Sequence, residues 1–125
     1  MTADPRFEEG LVRFNRKEYY ECHEVIEALW LKTPKNDPNR DLYKGVIQAA
    51  AALYQFDRGI LSGARGLYKT SRAYLEKYTP AALGLDVAAM IHEMDACFAA
   101  LDKSMGPEKV KPYKKLAPKL KFNKK

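Results

Sequence analysis

The chain has 125 residues, enough for one domain with a hydrophobic core. Its formal net charge of +6 arises at one end: residues 106–125 hold eight lysines and one acid, whereas residues 1–105 carry a net charge of −1. The first ten residues do not resemble a signal peptide, and no apolar run approaches the roughly 20 residues that a membrane helix needs. Cys22 and Cys97 lie in apolar helical patterns, as reduced core residues do. We therefore expect a cytoplasmic protein outside the membrane.

Two helices are predicted at the start of the chain. Asp4 is a suitable N-cap and Pro5 suits a first turn, so the first helix covers about residues 5–15. Asn15 is expected to end it in the left-handed conformation. The second helix covers about residues 17–32 and precedes a loop with two prolines.

Three more helices follow. The third, about 40–59, contains Gly45 and an alanine run that allow a neighbouring helix to approach closely. The fourth covers about 63–78 and ends before a proline. The fifth begins at its cap, Asp86, and stops near residue 104. Short loops and the lack of a strand pattern indicate an all-α fold, a compact bundle of about five helices in antiparallel hairpins.

The sequence divides into a helical domain, 1–105, and a basic, proline-containing C-terminal tail, 106–125. Prolines forbid a long helix in the tail, and apolar residues recur between its lysines. Three states stay open for it: a solvated tail, an arm that binds nucleic acid or an acidic partner through its charge, or an extended segment on the bundle. The anchors of such a segment would be Tyr113, Leu116, Leu120 and Phe122.

Chemically versatile side chains concentrate on the second helix. One face collects residues at spacings of three and four: Tyr20, His23, Glu27 and Trp30. Glu24 points about a hundred degrees away from His23. An imidazole and a carboxylate one turn apart can hydrogen-bond, share a proton, or hold a divalent metal. We predict that this pair faces inward, toward the third helix and Gln48.

Several motifs occur in a recognisable order: Phe14-Asn15, His23-Glu24-x-x-Glu27-x-x-Trp30, Gly45-Val46-Ile47-Gln48-Ala49-Ala50 and Gly84-Leu85-Asp86. Over about residues 7–95 this order resembles the bacterial and archaeal domain of unknown function family 309. The resemblance implies a small all-helical protein whose His-Glu helix packs on the helix of the glycine-containing motif, and it implies no activity. The polar residues that it marks are Asn15, His23, Glu24, Glu27, Trp30 and Gln48.

Three positions depart from what the resemblance implies, and one of them is Ile60, where many family members have asparagine. Lys17 stands near a position where many family members have glycine, and Gln55 stands near a position where many have histidine. If that histidine helps His23 and Glu27 to hold a metal in the family, this chain lacks one ligand. His92, on the fifth helix, is the only other histidine.

Three hypotheses for function remain. The first is a binding or structural module in which a buried His23–Glu27 pair locks the second helix to the third. The second is a metal-dependent or acid–base enzyme that uses His23, Glu24 and Glu27. The third is a nucleic-acid-associated protein that uses the lysine tail. The sequence leaves homo-oligomer formation open.

Overall fold

The computed structural model describes residues 4–102 and 117–123. Within these ranges the chain forms five α-helices: α1 Pro5–Asn15, α2 Tyr19–Leu31, α3 Arg40–Asp57, α4 Leu61–Leu75 and α5 Val87–Asp102. A 3-10 turn, Glu76–Tyr78, continues α4, and two short strands, β1 Ala81–Ala82 and β2 Leu85–Asp86, form an antiparallel hairpin. The predicted all-α bundle of five helices is confirmed.

Helix α3 lies at the centre of the bundle, with ten of its eighteen residues buried, α2 on one side and α4 on the other. Its approach to α4 depends on Gly45. A Cβ atom at that position would lie 2.7 Å from Leu75 Cδ2, closer than real contacts allow. The buried Ser71 hydroxyl donates to the Gly45 carbonyl oxygen at 2.7 Å. The close packing predicted at Gly45 is therefore confirmed.

Helix α5 is joined to α4 by a polar network as well as by apolar contacts. Asp95 accepts two hydrogen bonds from the Arg72 guanidinium, at 2.9 Å each, and one from the Tyr68 hydroxyl at 2.5 Å. Burial alone would raise the pKa of Asp95, but the hydrogen bonds from Arg72 and Tyr68 outweigh it and hold the pKa below its usual value. Burial, followed by the hydrogen bond to Asp95, raises the pKa of Tyr68 to about 12.

The N-caps of α1 and α5 are the residues that the sequence predicts. The Asp4 side chain accepts from the Arg6 amide, and the Asp86 side chain accepts from the Ala89 amide, both at 2.9 Å. The left-handed residue after α1 was predicted wrongly, because it is Lys17, with φ +63°, and not Asn15. Asn15 is the last helical residue, and its side chain reaches the C-terminal segment instead.

The hairpin was not predicted. Gly84, with φ +80°, lies in the turn between its strands. Residues 117–123 run along β2, and their Leu120 side chain is buried while Phe122 packs on the core. Two of the four predicted anchors are thus confirmed. Tyr113 and Leu116 lie outside the described residues, as does the predicted domain division after residue 105, which stays a prediction.

We expect Lys17→Gly to stabilise the protein by about 0.5–1 kcal/mol. A side chain in the left-handed region costs about 1–2 kcal/mol, and the greater freedom of glycine in the unfolded chain offsets part of this gain. Urea unfolding followed by Trp30 fluorescence would measure the difference. Arg16→Gly is the matched control, since φ is −87° there, and it should lower stability. Equal losses in both variants would contradict the expectation.

Across the described ranges, each helix is too short or too polar to traverse a bilayer.

Candidate functional site

An open cleft of about 140 Å³ lies between α2 and α3. Its wall from α2 begins at the first helical turn, and its wall from α3 comes from two successive turns, because residues three and four apart share a helix face. Four of the six lining residues are aromatic: the wall consists of Tyr19, Tyr20, His23, Ala51, Tyr54 and Gln55.

The aromatic rings at the cleft contact one another across the helix pair. The ring centroids of Tyr20 and Tyr54 are 5.6 Å apart, and the rings of Tyr20 and His23 are nearly parallel with centroids 6.3 Å apart. Tyr20 remains 49% exposed, so the cleft has an aromatic rim open to solvent. The Arg58 guanidinium lies 5.4 Å from the centroid of Tyr54 and donates to the Tyr54 hydroxyl at 3.4 Å.

His23 and Glu27 are close, but they do not form the buried lock that the sequence predicts. Their Nε2 and Oε1 atoms are 3.8 Å apart, and the side chains are 31% and 43% exposed. Both residues belong to α2, so their pairing spans one helical turn and ties no other helix to it. The Nδ1 atom of His23 is buried without a hydrogen-bond partner among the described residues. The prediction of a buried inter-helix pair is therefore wrong.

The other predicted site residues are spread over three places. Glu24 is exposed; its negative charge, and then its hydrogen bond, raise the pKa of the Tyr20 hydroxyl. Gln48 accepts a hydrogen bond from Thr70 of α4, and it does not line the cleft. The structure therefore brings Tyr20 and His23 together at the cleft and gives Gln48 a different partner.

Trp30 joins α2 to α3. Arg40 Cζ and Lys44 Nζ each lie 4.3 Å from the centroid of its ring, which is a cation–π distance. Arg40 also donates to the carbonyl oxygens of Trp30 and Thr33, at 3.2 and 2.5 Å. These contacts fasten the end of α2 to the start of α3, the role that the sequence assigned to the His23–Glu27 pair.

The cleft residues that sequence analysis missed are Tyr19, Ala51 and Tyr54, and it noted Gln55 only as a departure from the family resemblance. Gln55 lines the same cleft as His23 and supplies an amide there. Throughout the part of the chain that the structure describes, no three histidine, cysteine, aspartate or glutamate residues are placed to share a metal ion. His92 is exposed on α5. The donors at His23 and Glu27 thus fall short of the three or four that a zinc site takes.

We expect Glu27→Gln to cost no more than about 0.5 kcal/mol of unfolding free energy. Half-exposed pairs one helical turn apart contribute about 0.3–0.5 kcal/mol, whereas a buried inter-helix lock would contribute about 1–3 kcal/mol. Denaturant melts would measure the loss, and Glu24→Gln is the control on the exposed side of α2. A loss of unfolding free energy above about 1.5 kcal/mol in Glu27→Gln, without a similar loss in Glu24→Gln, would support a buried inter-helix pair and contradict this expectation.

Comparisons with known proteins cover the helices that form the cleft. A family model described as "Domain of unknown function (DUF309)" matches residues 7–67. The "Uncharacterized protein YpuF" of Bacillus subtilis (strain 168) is 33% identical over 95 residues, which are 74% of this chain and 54% of that protein. The chain thus spans about half the length of this curated relative. No solved structure matches the chain. The resemblance seen in the sequence motifs is confirmed: the chain is similar to this family over residues 7–67.

Proposed function

We propose that the chain is a small binding module whose cleft between α2 and α3 receives one organic cation of side-chain size, such as a methylated ammonium group. The observation that carries this proposal is the cleft itself. Aromatic rings form most of its wall, and acidic residues of α2 lie beside it.

The chemistry of the wall favours a cation. Aromatic ring faces carry negative potential and attract a cation within about 6 Å of the ring centroid. Arg58 already occupies such a position over Tyr54. The negative charge of Glu24, its hydrogen bond to Tyr20 and, more weakly, the charge of Glu21 raise the pKa of the Tyr20 hydroxyl, so acidic groups lie beside this ring. A positively charged group with an apolar surface suits both features.

The volume limits the ligand to one small group. The cleft of about 140 Å³ is close to the roughly 150 Å³ of an engineered cavity that takes benzene. A trimethylammonium head is of similar size. His23 and Gln55 add polar atoms at the wall that can hydrogen-bond the remainder of a ligand.

Nuclear magnetic resonance titrations with tetramethylammonium chloride and with uncharged tert-butanol, at equal ionic strength, test the proposal. Both probes are compact and methyl-covered, so charge is the main difference between them. We expect saturable shifts at His23, Tyr54 and Gln55, with the cation bound at least five-fold more tightly. Equal affinities would show a merely apolar cleft, and the absence of saturable shifts with either probe would contradict a binding role.

The other two hypotheses have less support. The distance of 3.8 Å between His23 and Glu27 exceeds the reach of a hydrogen bond, which acid–base catalysis by the pair would use. Six of the eight tail lysines lie outside the described residues. Of the two described tail lysines, Lys119 donates a hydrogen bond from its ammonium group to the Asn15 carbonyl oxygen, at 2.7 Å. Catalysis and nucleic-acid binding thus remain predictions from the sequence.

A further inference from the structure

The side chain of Asn15 binds both backbone groups of one residue in the C-terminal segment, residues 117–123. Its Nδ2 atom donates to the Leu120 carbonyl oxygen at 2.9 Å, and its Oδ1 atom accepts from the Leu120 amide at 2.7 Å. One amide group thus satisfies both backbone groups of one residue, as a neighbouring β-strand would. The contact joins residues 105 positions apart in the chain.

The hairpin holds the other edge of this segment. The Asp86 amide donates to the Lys121 carbonyl oxygen at 2.8 Å, and the Asn123 amide donates to the Gly84 carbonyl oxygen at 3.0 Å. Phe122 forms an antiparallel bridge with Leu85. The segment therefore adds a strand to the hairpin, which is the mode by which many domains bind extended peptides.

Side chains supply the remaining contacts. Leu120 is 5% exposed, Phe122 packs against the core, and Pro118 is buried. From α5, the Glu93 carboxylate accepts from the Lys119 amide at 3.2 Å. We call the surface formed by Asn15, Gly84–Asp86 and Glu93 the Asn15 groove. The groove forms hydrogen bonds with backbone groups along the segment. Alternate side chains of the segment, a proline, a leucine and a phenylalanine, pack against the bundle.

We propose that the Asn15 groove is a binding site for an extended peptide with the pattern Pro-x-Leu-x-aromatic, and that its resident segment exchanges with the same segment of a second copy of this chain. Three side chains, those of Pro118, Leu120 and Phe122, and a few hydrogen bonds hold the segment, which is far fewer contacts than hold a helix of the bundle, so it can open without unfolding the helices. Residues 103–116 connect it to α5. Fourteen residues reach about 46 Å when extended, whereas a domain of about 100 residues has a radius of gyration of about 13 Å. The connection is thus long enough for exchange.

A labelled peptide of residues 115–125 tests the site in the full-length chain. Leu120→Asp should release the resident segment and leave the groove open. We expect the peptide to bind this variant at least twenty-fold more tightly than the wild type. Adding Asn15→Ala, or placing Asp at the Leu120 position of the peptide, should remove binding. A Leu120→Asp variant that folds but does not bind the wild-type peptide would overturn the proposal.

Exchange between copies is tested by complementation. The Leu120→Asp chain keeps an intact groove, and an Asn15→Ala chain keeps an intact segment. Sedimentation should show a 1:1 complex in their mixture and in neither protein alone. If the peptide binds to the Leu120→Asp variant but the mixture of the two variants remains monomeric, the proposed exchange between copies is wrong.

Hydrogen exchange on the wild type keeps the proposal testable if Leu120→Asp fails to fold. The amides of Asp86, Leu120 and Asn123 should exchange at least a hundred-fold faster than the buried amides of α3, through local opening. Equal rates would show that the segment separates only on global unfolding, and the proposal would then be wrong.

Discussion

Replacing Phe98 by alanine is expected to lower the free energy of unfolding by about 3–5 kcal/mol. The ring is 1% exposed and connects three helices. Its centroid lies 5.3 Å from that of Phe56 on α3 and 4.5 Å from that of Tyr68 on α4, where the two rings are parallel. Alanine removes both ring contacts and leaves a cavity. Urea unfolding followed by circular dichroism would measure the loss.

Phe98→Leu is the control for this substitution. Leucine retains much of the buried volume but not the ring contacts, so the expected loss is about 1–1.5 kcal/mol. A loss below about 1 kcal/mol for Phe98→Ala would show that α5 contributes little to the core, in conflict with the packing of Phe98.

Filling the cleft is expected to weaken binding of tetramethylammonium at least ten-fold. Ala51 lies on the α3 wall, so Ala51→Leu places an isobutyl group into a space of only about 140 Å³. Because Ala51 is partly exposed, the longer side chain fits without displacing buried neighbours. Titration of the probe into both proteins would measure the affinity ratio.

Ala28→Leu is the matched control, since it makes the same change at an exposed position of α2 that does not line the cleft. It should bind the probe as the wild type does. An unchanged affinity in Ala51→Leu, with both variants folded, would place the binding site elsewhere.

The helices could be predicted from the sequence because each has a repeating apolar face and ends near proline, glycine or a capping aspartate. The hairpin could not, because strands of two residues have no periodicity. The left-handed residue was also placed wrongly, because the end of a helix is uncertain by one or two residues from sequence. Asparagine is preferred there over lysine, but α1 continues through Asn15 to its C-cap Arg16, and the left-handed residue after the cap is Lys17.

The sequence predicted the α2 side of the candidate site but not its α3 side. Spacing along one helix determines which side chains share a face, so Tyr20 and His23 were correctly grouped. The same spacing carries no information on which turn of α3 faces them. The sequence suggested Gln48, whereas the cleft is completed by residues one and two turns later, Ala51, Tyr54 and Gln55.

The C-terminal segment shows the same limit over a longer distance. Apolar residues between lysines correctly indicated Leu120 and Phe122 as anchors. Their receptor depends on Asn15 and the hairpin turn, far away in the chain, and no local pattern marks a contact of that kind.

Intermolecular nuclear Overhauser effects between the methyl protons of tetramethylammonium and the protein would locate the cation directly. We expect cross-peaks to the rings of Tyr20, His23 and Tyr54 and to the Ala51 methyl group. Cross-peaks confined to another aromatic surface, such as Trp30, together with none at these four residues, would contradict a cation-binding cleft between α2 and α3.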